Sequence, residues 1–515
     1  MRHTAKIGLL GWIMACNGGG SETDATGEPA WSSTSATGTT GGTGGTPTTG
    51  GTEATSGTSG PTTTAPDTSS GPTSSSTGET TSDTTTGDPL ACGGIVTFAD
   101  GKLPTAELHV AEGGADDPNC GVIDAPCGSI AFAAGLAQPG TAVRIHSGTY
   151  APDQYVSDLA GTADAPIWIG GAPGETPPVI SGGTEGLHFS RARYLVVHDV
   201  EVLGATGNGI NIDDGGAVDN PDATRFVVFR DLEIHQIGQG GNQDCLKMSG
   251  VNDYWVLDSE FYQCGAGGSA IDHVGCHQGL LAGNFFHDNG GNAVQCKGGS
   301  ENIEIRANRM VDSGDRAINM GGSTGFEFFR PPLQMGAPNA EARDIRVIAN
   351  TIVGGVTPLA FVGCVDCAAL NNTIVRPHNW LFRILQETVT TPEYEFFPAS
   401  NGVFANNVVV FDRGDISTYV NIGGNTAPDT FTFTNNLWYA ADVPAQSDPS
   451  GDLPTPETGA IVGIDPQLAD LVGADYHLTA GSPAAGSGTA FAALSADLDF
   501  ICYRDPPSRG AFELP

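Results

Sequence analysis

The stretch that decides the fold is "VIANTIVGGVTPLAFVGCVDCAALNNTIVRPHNWLFRIL", residues 347–385. It contains one short unit twice, because "IANTI" around Asn350 returns as "LNNTI" around Asn372. In each copy a β-rich segment surrounds the asparagine, and a second apolar segment, "PLAFV" or "LFRIL", follows after a turn. Alternation of apolar and polar residues predicts short strands, and helical periodicity is absent.

The same unit recurs along the chain from about residue 194. Aligning "HDVEV", "RDLEI", "LDSEF", "AGNFF", "RANRM", "IANTI", "LNNTI", "ANNVV" and "TNNLW" gives one anchor per repeat, at Val200, Leu232, Ser259, Asn284, Asn308, Asn350, Asn372, Asn407 and Asn436. A unit this short cannot bury its own apolar face and must stack on its neighbours, which predicts a parallel β-solenoid. We interpret the recurrent asparagine as an internal ladder that supports the turns.

Both ends of the repeat region resemble a known family. "PCGSIAFAAGLAQPG", residues 126–140, predicts a short amphipathic helix that caps the first coil. The segment from "LHVAEGG" to "RIHSGTY", residues 108–150, resembles the opening of right-handed parallel β-helix proteins of the pectate-lyase-like type, and "DPQLADLVGADYHLTAGSPAAGSG" with "RGAFEL" is similar to their end. The resemblance implies an all-β, right-handed parallel β-helix. That scaffold carries lyases, hydrolases, epimerases and non-enzymatic surface proteins, so activity must be argued from the site.

The first 90 residues have a different composition. Residues 1–16 combine a basic start, a short apolar run and Cys16, which resembles a bacterial lipoprotein signal with Cys16 as the lipidated residue. An ordinary signal peptide, and hence a secreted protein, is the alternative. Residues 17–90 are rich in Ser, Thr, Gly and Pro, which predicts a disordered linker. We therefore expect an outer-membrane or cell-surface lipoprotein whose β-helix domain spans residues 91–515.

The cysteine content fits an exported chain. The sequence has 11 cysteines, and ten remain when Cys16 is set aside, so disulfides are expected. We predict two local bridges, Cys120 with Cys127 and Cys364 with Cys367. Zinc is the competing interpretation of "CVDC", but no second ligand pair follows at zinc spacing. The partners of the other cysteines stay open: Cys92, Cys245, Cys264, Cys276, Cys296 and Cys502.

The formal net charge of −37 limits the partners. It argues against nucleic acid and against attraction to an anionic membrane surface, so membrane contact is expected only through the lipid anchor. A strongly acidic surface also repels polyanions unless a cation or a basic strip intervenes. We expect a monomer whose partner is extracellular polysaccharide.

The second strand of each repeat predicts one outward row. Its members, one per coil, are Asn211, Lys247, Asp272, Gln295, Asn319, Ala360, Arg383 and Asn421. A second row two residues later contains Asp213, Ser249, Val274 and Lys297. Stacked coils lie about 4.8 Å apart, so Lys247 and Asp272 are expected to be direct neighbours. Outward residues of any solenoid are polar because they meet water, which is the competing interpretation of the row.

Sugar-binding groups are expected along this row. Asn, Gln, Lys and Arg side chains provide the hydrogen-bonding groups that saccharides use. We predict as substrate-binding residues Asn211, Gln295, Lys297, Asn319, Arg330 and Arg383. Arg330 lies with Phe328 and Phe329 in a long insertion, "STGFEFFRPPLQMGAPNAEAR", which is expected to form a wall beside the row or simply to pack on the coil.

The leading hypothesis for function is a polysaccharide lyase. Such an enzyme removes the proton next to a uronate carboxylate, which needs a base and a positive group. In β-helix lyases the base is usually a lysine or arginine, and the resemblance gives Lys247 that role, with Asp272 beside it as a second catalytic residue. Asp213, Asp214, Asp244 and Asp272 are candidate oxygen ligands for Ca²⁺. However, a neighbouring Asp272 raises the pKa of Lys247 and opposes its role as a base unless metal occupies the carboxylate.

Two other functions remain open. "DCLKM" resembles a strand of polygalacturonase-like hydrolases, with Asp244 as one carboxylate, but only "CHQG" stands where their Gly-His-Gly turn is needed. The other alternative is a non-catalytic, surface-tethered solenoid that binds glycan or acts as an adhesin. A Lys247–Asp272 ion pair without metal would favour binding. His273 is expected to point into the core, and His277 lies in the following turn.

Overall fold

The computed structural model describes Cys92, residues 94–238 and residues 241–514. These residues belong to one compact unit, residues 82–515. The predicted signal peptide, the linker and Cys16 lie outside the described residues, and those three assignments stay predictions. Among the described residues, no helix is both long and apolar enough to cross a membrane.

Successive coils pair through parallel strands, as the repeat predicts. One sheet takes a single strand from each of ten coils, and we call it the ten-stranded sheet. In chain order its strands are Gln154–Ser157, Leu187–Ser190, Ile210–Asp213, Leu246–Ser249, Ser269–Val274, Asn292–Lys297, Arg316–Gly321, Leu359–Val362, Phe382–Leu385 and Val420–Ile422.

The other faces of the coils form one larger sheet of 23 strands. One row of it comprises Ala106–Val110, Thr141–Ile145, Ile167–Gly171, Arg193–Leu203, Thr224–His235, Val251–Leu257, His277–Ala282, Ser300–Arg306, Ala342–Ile348, Cys364–Val365, Ala368–Leu370, Val403–Ala405 and Thr432–Thr434. The next row comprises Thr149–Tyr150, Val179–Ser181, Glu260–Tyr262, Phe285–His287, Arg309–Val311, Thr351–Val353, Thr373–Val375, Val408–Phe411, Leu437–Ala440 and Ile461–Val462.

Short elements complete the described fold. They are an α-helix, Ile130–Leu136, an antiparallel pair, Leu468–Asp470 with Asp475–Leu478, and 3₁₀ turns at Phe326–Phe328, Arg413–Asp415, Pro428–Thr430 and Pro444–Gln446. The Ser129 hydroxyl caps the α-helix by accepting a hydrogen bond from Phe132 N. The helix packs on the strands Ala106–Val110, Thr141–Ile145 and Gln154–Ser157, so it covers the first coil as predicted.

The predicted asparagine ladder runs through the interior. Each amide Nδ2 donates to the Oδ1 of the next asparagine at 3.0 Å, and the series is Asn284, Asn308, Asn350, Asn372, Asn407 and Asn436. The Glu457 carboxylate ends the ladder by accepting from Asn436 Nδ2 at 2.8 Å. The residue before an anchor turns the chain with a left-handed φ, for example +55° at Ala349 and +54° at Asn371. The ladder therefore satisfies the polar groups that a buried turn exposes.

Four disulfides are present among the described residues. Cys120–Cys127 and Cys364–Cys367 form as predicted. The other two bridges join Cys92 to Cys502 and Cys245 to Cys264. Cys276 and Cys296 are buried free thiols, which departs from the expectation that the ten cysteines pair. They lie in the apolar interior, where a thiol packs as a small hydrophobic side chain.

The Cys92–Cys502 bridge ties the start of the domain to its C-terminal segment. That segment folds back along the coils, where Gly510 N donates to Asn406 O at 2.7 Å and Ala511 N donates to the Thr373 hydroxyl at 2.9 Å. The bridge closes a sequence separation of 410 residues, so it restricts the unfolded chain far more than a local bridge does.

Replacing both Cys92 and Cys502 with serine is expected to destabilise the domain by about 2–4 kcal/mol. The matched control is the double serine variant of Cys120 and Cys127, whose separation of only 7 residues predicts a smaller loss. Thermal unfolding of the oxidised proteins measures both. An equal fall in Tm for the two variants would contradict the argument from loop length.

Candidate active site

Lys247 lies on the outward side of the ten-stranded sheet. Its neighbours in sequence, Leu246 and Met248, are fully buried, whereas the Lys247 side chain is 22% exposed. In the strand register Lys247 stands between Asn211 and Asp272, which confirms the predicted neighbours. The alternation of the strand therefore explains why a lysine sits between two apolar residues.

The rest of the outward row is confirmed by the strand register. After Asp272 the row continues through Gln295, Asn319, Ala360, Arg383 and Asn421. The second row is also as predicted, because Asp213, Ser249, Val274 and Lys297 occupy equivalent positions in four successive coils. Side chains that are far apart in sequence thus meet on one face.

Two lysines and two aspartates meet at the centre of this face, and we call Asp244, Lys247, Asp272 and Lys297 the lysine cluster. Lys247 Nζ donates to Asp272 Oδ2 and lies 3.2 Å from Asp244 Oδ2. Lys297 Nζ lies 3.2 Å from the same Asp272 oxygen and donates to Gln295 Oε1 at 3.1 Å. The two aspartates are almost fully buried, whereas the two lysines reach the surface, so the ammonium groups are what a ligand would meet.

The protonation of the cluster follows from burial and from these ion pairs. Burial alone would lower the pKa of Lys247, but the Asp272 and Asp244 carboxylates outweigh it and raise that pKa above the usual lysine value. For Asp272, burial is opposed by Lys247 and Lys297, which hold its pKa below the usual range. Burial raises the pKa of Asp244, and attraction to Lys247 offsets this only in part. Lys247 is therefore a cation in the resting site.

The four aspartates predicted to bind calcium do not come together as one group. Hydrogen bonds to Asp213 and Glu185 raise the pKa of His188 to about 9, so this imidazolium occupies Asp213. Asp214 is buried and accepts two hydrogen bonds from Arg330, at 2.6 and 3.1 Å. In the described part of the chain, no three His, Cys, Asp or Glu side chains are placed to hold a metal ion. Calcium needs six or more oxygens, and these residues do not fit it.

Arg330, which was predicted to bind substrate, has its charged partner within the protein, and its role toward substrate stays a prediction. Its guanidinium is buried, pairs with Asp214 and donates to Phe328 O at 2.7 Å. Phe329 is also buried and packs on Phe396 at a centroid distance of 5.7 Å, whereas Phe328 is exposed. The insertion is thus fixed to the coils, with Arg330 as a structural anchor because a buried guanidinium needs a charged partner.

The other predicted binding residues line the row with their own partners. Asn211 Nδ2 donates to Glu185 Oε1 at 3.3 Å, and Asn319 is nearly buried beside Arg316. Arg383 stacks over the Trp380 ring at 4.2 Å and donates to Asn421 Oδ1 at 3.0 Å. This end of the row therefore offers an aromatic and cationic surface.

The two histidines near the cluster have structural positions. His273 is fully buried, as expected, and burial lowers its pKa to about 4. Its Nδ1 lies 2.9 Å from Gln295 O. His277 bridges Asn252 Oδ1 at 2.7 Å and Gly299 O at 3.1 Å. Neither ring is available as a base on the outward face.

Sequence reasoning missed three residues beside the cluster. Glu341, at the end of the insertion, is buried and accepts a hydrogen bond from Gly298 N at 3.1 Å, next to Lys297. Arg316 forms an ion pair with Glu387 at 2.7 Å. Glu341 and Glu387 lie in connections between strands, and Arg316 is the first residue of a strand, three residues before Asn319 of the outward row, so no periodic pattern marks any of them.

Comparisons with known proteins agree on the architecture. A family profile described as "Right handed beta helix region" matches residues 185–330, which include the lysine cluster. The fold is a right-handed parallel β-helix. Among solved structures, the pectate lyase Pel9A is 16% identical, with a TM-score of 0.51 over 81% of this chain and 98% of that one. No curated protein sequence matches the chain.

Two further solved structures are similar at lower scores. A GH136 lacto-N-biosidase from Eubacterium ramulus is 14% identical, with a TM-score of 0.49 over 69% of this chain and 67% of that one. An alginate lyase from Paenibacillus sp. str. FPU-7 is 17% identical, with a TM-score of 0.39 over 62% of this chain and 99% of that one. At these identities the likeness concerns the fold, and function must come from the site.

Proposed function

We propose that the protein cleaves uronate-containing polysaccharide by β-elimination at the lysine cluster. The supporting observation is that Lys247 and Lys297 direct two partly exposed ammonium groups at the same buried carboxylate, that of Asp272. These are two of only four lysines in a chain of net charge −37. A local pair of cations on an acidic protein provides the complement that a uronate carboxylate needs.

The proposed chemistry assigns a different role to each side chain. Lys247, as the neutral amine, takes the proton from sugar C5, the C4–O4 bond breaks, a C4=C5 double bond forms, and the departing oxygen acquires a proton from water. Lys297 stabilises the charge that develops on the carboxylate. Asp272 is a positioning residue that holds both lysines. A bound sugar displaces Lys247 from Asp272, and Asp272 keeps Lys297 as its partner. The sugar also buries Lys247, which favours the neutral amine.

The test is absorbance near 235 nm, where unsaturated uronates absorb. Purified full-length protein is incubated with pectate, alginate and glucuronan, in EDTA or in Ca²⁺, and the rate is followed across pH. Because the pKa of Lys247 is raised, the neutral amine becomes more abundant as pH rises, so the rate is expected to increase from neutral into alkaline pH. A rate that falls over this range would contradict Lys247 as the base.

Replacing Asp272 with asparagine is expected to move the acid limb of the pH–rate profile to lower pH. The substitution removes the larger of the two carboxylate effects that raise the pKa of Lys247, so only Asp244 still opposes burial and that pKa falls. The comparison uses the position of the limb, because the overall rate also changes when Lys297 loses its partner. An unchanged limb would show that another group controls the profile.

A second candidate is a non-catalytic glycan-binding solenoid. The Lys247–Asp272 ion pair favours it, because a lysine that stays charged binds a carboxylate without abstracting a proton. The same polymers distinguish the two candidates. Binding without any rise at 235 nm would replace the lyase by the binding function, whereas absence of both binding and cleavage would remove both.

A further inference from the structure

A cavity lies on the larger sheet, and its lining contains no residue of the lysine cluster. Its volume is about 330 Å³, and it opens between the sheet and the N-terminal arm, residues 94–104. Its lining includes Lys102, Arg144, Trp168, His198 and Arg230. None of these residues has a part in the proposed elimination.

The floor of the cavity is set by strand register. Arg144, Gly170, His198 and Arg230 occupy equivalent positions in four successive coils. Gly170 is required there, because a Cβ would lie 2.7 Å from the His198 imidazole and 2.1 Å from the His198 carbonyl oxygen. The row of Trp168 and Val196 runs beside it. The missing side chain leaves a depression between two arginines.

The N-terminal arm forms a fixed wall. Phe98 packs edge-on against Tyr194 at 5.5 Å and Trp255 at 5.8 Å. Lys102 donates from Nζ to Phe98 O and Ala163 O. These contacts hold the arm against the first coils, so the cavity is built into the fold.

The lining suits an acidic sugar. Three permanent cations, Lys102, Arg144 and Arg230, and two carboxylates, Asp100 and Asp199, line the cavity, and a third carboxylate, Glu107, pairs with Arg144 from outside the lining. Arg144 Nε donates a hydrogen bond to Glu107 Oε1 at 3.0 Å. Arg230 Nη1 lies 3.5 Å from Asp100 Oδ1, which is a longer contact. Guanidinium groups match a carboxylate, and a half-buried indole such as Trp168 offers an apolar surface to a sugar ring.

We propose that this cavity binds one or two residues of an acidic saccharide. The inference deepens the proposed function, since it rests on a uronate polymer as substrate and gives that polymer a second contact. The volume is at the lower end of ligand pockets, which suits a short saccharide and excludes a long segment.

Calorimetric titration of the full chain with galacturonate trisaccharide tests the inference. All variants carry Lys247→Ala, which removes cleavage from the measurement. Adding Arg144→Gln, or separately Trp168→Ala, is expected to weaken binding in the cavity at least about tenfold. Lys297→Ala probes the lysine cluster, and Arg309→Ala, at an exposed arginine, is the control. An unchanged Tm confirms that each variant is folded.

The outcomes separate the cavity from the proposed function. Binding that is weakened by Arg144→Gln but not by Lys297→Ala supports the cavity and counts against the cluster. Binding that is weakened only by Lys297→Ala overturns the cavity and leaves the proposed function. Maltotriose is the neutral probe and inorganic phosphate the small anion. Equal affinity for either one would overturn the acidic saccharide as the ligand class.

Discussion

Replacing Lys247 with alanine is expected to lower the rate of uronate elimination by about a thousandfold. The substitution removes the proposed base. The Lys247 amine contacts both Asp244 and Asp272 and is partly exposed. General-base catalysis contributes about a hundredfold to ten-thousandfold, so the loss belongs in kcat rather than in KM alone. The measurement is the initial rate at 235 nm on the polymer that the wild-type protein cleaves.

Two further variants separate the base from the charge at this position. Lys247→Arg keeps a cation, but a guanidinium does not lose its proton in this pH range, so elimination is expected to fall as far as in the alanine variant while polymer binding persists. Arg309→Ala removes an exposed cation elsewhere and is expected to leave the rate unchanged. Retained activity in Lys247→Arg would contradict a requirement for the neutral lysine amine.

The fold was predictable because its signals are local and repeated. Each coil repeats an anchor residue and a second strand. Aligning one pair of anchors, such as Asn350 and Asn372, therefore indicates how the other coils stack. Strand alternation then places Lys247 outward, and coil spacing places it next to Asp272. A periodic structure transfers information from one repeat to the next, which explains why the whole outward row was predicted correctly.

The partners of individual charges were not predictable in the same way. Asp214 pairs with Arg330 across 116 residues, and Arg330 lies in an insertion that interrupts the repeat. Asp213 forms an ion pair with His188 of the preceding coil. The strand that carries His188 lies before the first strand that was aligned in the sequence. The resemblance favoured calcium at these aspartates, whereas side-chain packing provided a histidine and an arginine. Such pairings depend on rotamers and loop paths, which carry no sequence period.

Replacing Asn350 with alanine is expected to destabilise the domain by about 4 kcal/mol. The Asn350 side chain is fully buried, and its Nδ2 donates to Ile305 O at 2.8 Å and to Asn372 Oδ1 at 3.0 Å. Its Oδ1 accepts from Asn308 N at 2.9 Å and from Asn308 Nδ2 at 3.0 Å. Alanine removes these four buried hydrogen bonds and leaves Asn308 N without its acceptor, whereas Asn372 Oδ1 keeps Asn350 N and Asn308 Nδ2 keeps Leu281 O. Each unsatisfied buried group costs about 1–3 kcal/mol, and each other lost bond costs about 1 kcal/mol.

The chain itself provides the graded comparison. Ser259 occupies an anchor position, and its hydroxyl accepts from Leu232 N at 3.1 Å, so Asn350→Ser is expected to keep part of the ladder and to lose about half as much stability. Asn119 is exposed, and its replacement by alanine should change stability by less than about 0.5 kcal/mol. Guanidinium unfolding midpoints rank the three variants. If Asn350→Ala unfolds at the wild-type midpoint, the ladder does not stabilise the solenoid, and stacking of the apolar interior must hold the coils together without it.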